Sequence, residues 1–362
     1  MTTTYTAKVF WANNVPLANV ETRLFSAHKD GNLGTELTLV PGVSDKEGTF
    51  KMSLRDSHLI DGDLLSSLEE LSPQFDEIEP NEISLGEDQR PIVQFSYPLK
   101  GKTVQALLPF RRLHRGYRLL HNQPVEFKPS QDGFVFQNSF KPFDPPISLP
   151  DFIGVNRVMG SYGLCGGMSS AAYDFSLAKA ADPKAPDIRQ YKTVPKTATR
   201  LHRYLFRRAL DTFGTAGKMI GIVGEWTLLP DEGPAGTRKL TQDGLSTLLK
   251  QLDAGQCVVL TLIYERAMNL KELSSEIWLN HQVLAYDYRQ AGAETIEILI
   301  YDSNFPDRDD AMLRAQRTQE GGDLTQPVYG RASREIIPSA HFSKEVRGFF
   351  PMAYQPARPP RK

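Results

Sequence analysis

Cys165 stands in the run Gly163-Leu164-Cys165-Gly166-Gly167-Met168-Ser169-Ser170-Ala171-Ala172, which passes from a glycine-rich start into small and apolar residues. Such a run reads as the beginning of a buried helix with the cysteine at its N-terminus. A thiol is a strong nucleophile only when ionised, and a free cysteine is mostly protonated at neutral pH. A helix N-terminus and an adjacent imidazolium both lower its pKa. Gly166 and Gly167 are expected to leave the backbone open beside the sulfur. A substrate carbonyl could then approach, and the Cys165 amide could face an oxyanion. The imidazole comes from His281, which opens the strand-like run "HQVLAYDY". The next strand-like run, "TIEILIYD", ends at Asp302 and leads into Ser303, Asn304, Phe305 and Pro306. If 281–288 and 295–302 form a hairpin, the start of one strand lies beside the end of the other. His281 and Asp302 then become cross-strand neighbours, and the carboxylate can hold the imidazole's tautomer and orientation.

A helix opening "GLCGG", a later strand opening "NHQVLAYDY" and a paired strand closing "YDSN" together resemble the papain-like cysteine peptidase superfamily in its broad sense, which includes papain, bacteriocin leader peptidases and transglutaminases. The resemblance spans residues 155 to 355. It implies a triad in the order Cys, His, Asp/Asn, placed between a helical and a β subdomain. It makes Cys165 the nucleophile, His281 the general base and Asp302 the orienting residue, with Asn304 as the alternative. It further implies acyl transfer through a thioester, by a peptidase or amidase acting on a peptide or protein. The transglutaminase-like alternative uses an amine as acceptor, and the non-catalytic alternative is a binding protein on a degenerate papain-like fold. One position departs from the pattern. Papain and the leader peptidases usually carry Gln six residues before the cysteine, and here that residue is Met159. Asn156, Ser161 and Tyr162 are the nearby side chains that could take its place.

The elements that must position these groups read as α+β. Thr199–Phe213 carries Leu201, Leu205, Ala209 and Phe213 at helical spacing, with Arg203 and Arg207 on another face. Thr241–Leu252 is a second amphipathic helix, closed by Gly255. Strands "CVVLTLIY", "HQVLAYDY", "TIEILIYD" and "VRGFFPMAY" follow, so residues 151–356 form the expected papain-like domain, with 357–362 a disordered tail. Cys257 falls in the apolar run and reads as a core residue; Trp226 and Trp278 read as core packing. Upstream, Val20, Thr22 and Leu24, then Phe50, Met52 and Leu54, alternate with polar neighbours, the period of a half-buried strand. Residues 1–60 are therefore expected to be a β-sandwich module, and "VPLANVETRLFS…GVSDKEGTFKMSL" resembles transthyretin-like and carboxypeptidase-regulatory-like modules. Residues 61–90 read as an acidic linker, because no Lys or Arg occurs from Asp61 to Asp88. Residues 91–150 read as a β-rich middle segment with a proline-rich connector. Arg111, Arg112, Arg115 and Arg118 there read as a solvated face.

The remaining signals bound the function. The net charge of -1 calls for neither nucleic acid nor an anionic membrane. No apolar run approaches the roughly 20 residues needed to cross a bilayer. The N-terminus lacks a basic region followed by an apolar one, and the chain has only 2 cysteines. A reducing compartment, the cytoplasm, is expected, with export without a cleaved signal peptide as the alternative. No cofactor is expected, since neither a Walker nor a dinucleotide glycine fingerprint occurs. No metal is expected either: there is no closely spaced His/Cys pair for zinc. The acids Asp302, Asp307, Asp309 and Asp310 lack the central Gly and terminal Glu of an EF-hand loop.

Overall fold

Residues 2–27, 33–55, 76–78, 91–109, 116–119, 122–140, 164–212, 218–292, 295–318, 328–337 and 341–361 are described by the computed structural model. The chain is α+β and divides into two units, Met1–Pro124 and Val125–Lys362.

The first unit is a pair of sheets. Strands β1 (Thr2–Phe10), β4 (Thr38–Val40), β6 (Thr49–Arg55), β7 (Asp76–Ile78) and β10 (Gly116–Leu119) form one, in the order β4-β6-β1-β10-β7. Strands β2 (Glu21–Ala27), β3 (Leu33–Glu36), β8 (Ile92–Leu99) and β9 (Lys102–Pro109) form the other in the order β3-β2-β8-β9, with β5 (Gly42–Val43) beside β2. Alternation along each strand sends one row inward: Tyr5, Ala7 and Val9, then Phe50, Met52 and Leu54, are buried while Thr6, Lys8 and Lys51 are exposed. Across the sandwich, the Phe50 ring meets Phe95 at 6.1 Å and the Tyr117 ring meets Phe95 at 4.6 Å. These contacts place the boundary differently from the sequence reading. Strands β8 and β9 complete the sheet of β2, and β10 pairs in parallel with β1, so residues 92–119 are half of the sandwich rather than a separate middle segment. Strands from residues 1–60 alone would leave Phe50 and Tyr5 without the aromatic residues that cover them. Within the stretch read as an acidic linker, 76–78 is the strand beside β10. The rest of that stretch lies outside the described residues, as do Arg111, Arg112 and Arg115. Arg118 lies in β10.

The second unit is built on an antiparallel sheet ordered β16-β15-β14-β13-β12-β11-β17, from β11 (Val258–Ile263), β12 (His281–Gln290), β13 (Thr295–Tyr301), β14 (Ala311–Thr318), β15 (Val328–Ile336), β16 (Phe342–Val346) and β17 (Gly348–Pro351). Before the sheet come α1 (Pro129–Asp132), α2 (Cys165–Ala181), α3 (Arg200–Thr212), α4 (Lys218–Leu228) and α5 (Thr237–Asp253); α6 (Leu270–Glu276) lies between β11 and β12. Strand β11 is buried on both faces, which is why its sequence is continuously apolar instead of alternating. Val259 and Ile263 join Met168 of α2 and Leu205 of α3 in one core; Leu260 and Leu262 join Leu245 and Leu248 of α5 in the other. Phe127, Phe134 and Phe136 belong to the first of these cores, so the unit begins at Val125 and not at residue 151. The expected disordered tail is also seated. Pro359 and Pro360 are buried, the Tyr191 hydroxyl donates to the Pro360 carbonyl at 3.2 Å, and the Ala357 amide donates to Asp174 at 2.9 Å. Asp174 is a buried carboxylate that needs donors, and the tail supplies one of them beside Arg208, Tyr204 and Tyr354. Among the described residues, no helix is long and apolar enough to cross a membrane.

Helices α2 and α3 pack at glycine. A Cβ on Gly167 would lie 2.1 Å from the Leu205 carbonyl oxygen, a backbone atom of α3 that cannot swing aside. Gly167→Ala is therefore expected to cost about 3 kcal/mol, at the upper end of overpacking penalties. Thermal unfolding should show this as a Tm lower by roughly 10 °C. A Tm unchanged within about 2 °C would mean the helices part there freely.

Candidate active site

Cys165 is the first residue of α2, and Leu164 precedes it as N-cap without a side chain able to cap the helix. The Leu164 amide instead donates to Asn138 Oδ1 at 2.8 Å. The first amides of a helix have no intrahelical acceptor, so the sulfur stands where positive backbone dipoles converge. Cys165 is half-buried, while Cys257 is buried in the apolar core. The glycines after the sulfur do something other than expected. A Cβ on Gly166 would lie 1.6 Å from Gln282 Oε1, and Gly167 makes the close approach to α3. Both are buried, so they let α2 sit against β12 and α3; they do not open a path for substrate.

His281 is the first residue of β12 and pairs with Leu262 on β11. The strand starts here because Asn280 is tied down on three sides. Its Oδ1 accepts from the Tyr264 amide at 2.9 Å, and its Nδ2 donates to Thr227 Oγ1 at 3.0 Å and to the Ile277 carbonyl at 3.1 Å. Gln282 faces the other way, with Nε2 donating to Thr261 Oγ1 at 3.1 Å and Oε1 accepting from Thr212 Oγ1 at 3.2 Å. Strands β12 and β13 do form the antiparallel pair, with a bulge between Ala285 and Asp287, and the ladder stops at Leu284 and Tyr301. Asp302 follows directly and is not itself in register with His281. The chain turns there, with the Phe305 amide donating to the Asp302 carbonyl. That turn aims the carboxylate back, and His281 Nε2 lies 2.8 Å from Asp302 Oδ1. With Nε2 committed to the carboxylate, Nδ1 is the ring nitrogen left for the Cys165 sulfur, and the two groups favour each other's charged forms.

The electrostatics follow from burial. His281 is 6% exposed and Asp302 1%, so neither charge is solvated and each depends on its partners. Burial pushes the His281 imidazolium down, but the Asp302 charge and hydrogen bond, with Cys165, outweigh it and raise its pKa to about 9. Burial pushes the Asp302 carboxyl up. The His281 charge and hydrogen bond, then Arg334, then the Asn304 amide at 2.9 Å reverse this and hold it below the ordinary value. Burial likewise pushes the Cys165 thiol up, and His281 with the Gln282 and Gly166 amides brings it below the ordinary value. All three shifts favour the charged forms: thiolate for Cys165, imidazolium for His281 and carboxylate for Asp302.

Asn304 does not reach the imidazole by a hydrogen bond. Its side-chain oxygen faces Asn138 Nδ2 at 3.4 Å, and its backbone amide holds Asp302. Asn138 was not singled out in the sequence. It links the N-cap of α2 to the loop after β13, since its own amide also donates to the Ser303 carbonyl at 2.9 Å. Nothing in an isolated "QNSF" announces this. Arg334 was missed as well. Its Nη1 lies 3.1 Å from Asp302 Oδ2. Asn156, Met159, Ser161 and Tyr162, from which an oxyanion-hole side chain was expected, lie outside the described residues.

Other expectations resolve into local contacts. Trp226 packs against Phe350 in the core, with tilted rings 4.5 Å apart, and the side chain of Trp278 lies outside the described residues. Asp307 pairs with Arg189 at 2.5 Å, Asp309 accepts from the Ser130 amide and hydroxyl, and Asp310 pairs with Arg308. Among the described residues, no group of three His, Cys, Asp or Glu side chains could hold a metal ion.

No protein-family model matches the chain, and no curated protein matches it. Among solved structures, a 9R-lipoxygenase from Cyanothece PCC8801 aligns at 11% identity with a TM-score of 0.18, over 84% of this chain and 40% of that one. The chain thus spans well under half the length of that structure, and a likeness of this size carries no argument about fold or function.

Proposed function

We propose that the second unit is a papain-like cysteine hydrolase, a peptidase or amidase that works through a thioester on Cys165. The observation that carries this reading is the single chain of contacts from Cys165 at a helix N-terminus, through the His281 ring, to the buried carboxylate of Asp302. The Cys165 thiolate attacks the carbonyl carbon of an amide, and the carbonyl electron pair moves onto oxygen. The Cys165 amide, which at the first position of α2 has no intrahelical acceptor, is the donor proposed for that oxyanion. When the tetrahedral intermediate collapses, the C–N bond breaks and the His281 imidazolium gives its proton to the departing amine. The now neutral His281 takes a proton from water, the resulting hydroxide attacks the thioester, and Cys165 leaves as thiolate. Asp302 keeps the ring in one orientation throughout and stabilises its charged form.

The test is the second-order rate at which a peptidyl vinyl sulfone inactivates the full chain across pH. Addition to a vinyl sulfone needs both the thiolate and a proton donor for the carbanion that forms, so the profile should be bell-shaped. The acid limb should fall below the ordinary thiol range near 8.5, because the thiol pKa is lowered. The alkaline limb should fall near pH 9, where the imidazolium loses its proton. Mass-spectrometric mapping should place the adduct on Cys165 and not on Cys257. A single rise with an ordinary thiol pKa, or equal labelling of both cysteines, would remove the reading. Stability should follow the same signs. The contribution of His281 is complete below its unfolded pKa of about 6.5 and is lost as pH rises through about 9. That of Asp302 is present above about 3.9 and is lost as pH falls through its lowered value.

A further inference from the structure

Arg334 is a buried arginine on β15, 5% exposed, whose Nη1 lies 3.1 Å from Asp302 Oδ2. Three rings enclose the guanidinium: Phe342 at 4.7 Å, Tyr264 at 5.4 Å and Phe305 at 5.7 Å. The cation is thus shut away from water and set against the far oxygen of the carboxylate that orients the general base. Burying an arginine in this way is costly unless it is paired, and aromatic faces offset only part of that cost.

A count of charges along the proposed reaction shows what the pair does. In the resting site the thiolate, imidazolium, carboxylate and guanidinium sum to zero. In the thioester stage Cys165 and His281 are both neutral, and Asp302 would be an uncompensated buried anion without Arg334. With it the sum is again zero. Resting on the hydrolase reading above, we propose that Arg334 is a positioning residue that keeps Asp302 ionised and charge-balanced through the whole cycle, so that the Asp302–Arg334 pair serves the imidazole as a neutral amide would, but with a carboxylate's hold on the ring. The other charged or titratable groups facing this site are Cys165 from α2, Tyr264 after β11, and Lys344 from β16, whose ammonium stands 4.0 Å over the Tyr264 ring and 3.8 Å from Glu265. His281 and the Asn304 amide are on Oδ1, so Arg334 is the group placed to balance Oδ2.

The experiment is the pH dependence of Cys165 alkylation by iodoacetamide in the full chain, read by mass spectrometry for the wild type, Arg334→Met, Arg334→Lys and the double variant Asp302→Asn with Arg334→Met. In Arg334→Met the site holds one excess negative charge and takes up a proton, which is held on the thiol. The midpoint of the acid limb should rise by about one pH unit. Arg334→Lys should recover part of that shift, since the charge returns without the planar group that packs on the three rings. The double variant removes both charges, and its midpoint should return toward the wild-type value, though its plateau rate should stay lower. A midpoint unmoved in Arg334→Met, or a double variant shifted as far as the single one, overturns the proposal and leaves the nucleophile assignment intact. If Arg334→Met does not fold, the double variant decides. It must fold and show the wild-type midpoint, and a double variant that is also unfolded counts against the proposal. A wild-type Cys165 no more reactive than Cys257 defeats the hydrolase reading itself, so the two failures are distinguishable.

Discussion

Replacing His281 by alanine is expected to slow alkylation of Cys165 at pH 7 by about a hundredfold and to leave Cys257 unchanged. The magnitude follows from thiolate fractions. A thiol with pKa near 8.5 is only about 3% ionised at pH 7, which already makes a loss of roughly thirtyfold from a fully ionised state. Cys165 would fall further, because burial pushes its pKa up and His281 is the largest influence opposing that push. The amides of Gln282 and Gly166 remain, but they donate hydrogen bonds without a full charge. Turnover should suffer more than alkylation, because in the proposed mechanism the proton for the leaving amine also comes from His281. With p-nitrophenyl acetate as an activated ester the loss should be about 10³-fold, and with a peptide amide larger still, since an amine leaves poorly without protonation. The comparison of the two substrates separates the two roles. Equal losses on ester and amide would mean that His281 acts on the thiol alone. An alkylation rate that does not change would mean that the helix terminus ionises Cys165 without it.

What the sequence made legible was the part of the site built from local pattern. Small residues after Cys165 mark a buried helix, and the two apolar runs 281–288 and 295–302 mark a hairpin. What it concealed was held by contacts between distant segments. Strands β14 and β15 carry Arg314, Arg334 and Glu335 and so lack a clean apolar alternation. Their charges are reconciled across the sheet, where Arg314 bridges Glu297 on β13 and Glu335 on β15, at 2.9 Å each. Arg334 points to the opposite face, where it meets Asp302, and no spacing rule links those two positions. The same holds for Asn138, whose partners are 26 and 166 positions away. The glycines were read as open space beside a nucleophile, yet their cause is the absence of room for a Cβ against Gln282 and Leu205. A glycine that clears a path and one that permits close packing look alike in sequence, and only the neighbouring atoms tell them apart.

Asp302→Ala is expected to lower turnover of p-nitrophenyl acetate by about 10³-fold, less than the roughly 10⁴-fold scale for an orienting carboxylate of a nucleophilic triad, because an activated ester depends less on a protonated imidazole. Asn304→Ala is expected to lower it by only a few-fold. The two residues are close in sequence, but they hold different parts of the site. Asp302 Oδ1 receives the His281 Nε2 hydrogen bond at 2.8 Å, so its loss frees the ring to rotate and removes the charge that stabilises the imidazolium. Arg334 would also be left as a buried cation without its partner, and it would repel the imidazolium further. The midpoint of Cys165 alkylation should therefore rise in Asp302→Ala, because a thiolate without imidazolium beside it returns toward the ordinary thiol range. Asn304 contributes through its backbone amide, which alanine retains, and through a long side-chain contact to Asn138 at 3.4 Å. Losing that contact loosens the link between the loop after β13 and the N-cap of α2 without touching the His281–Asp302 bond. Adding Arg334→Met to Asp302→Ala should recover some of the lost stability, since the stranded cation is gone, but little of the lost turnover, since the ring stays unanchored. If turnover instead survived Asp302→Ala and collapsed in Asn304→Ala, the amide would be the group that orients His281, and the loop would have to rearrange during catalysis to bring Asn304 to Nε2.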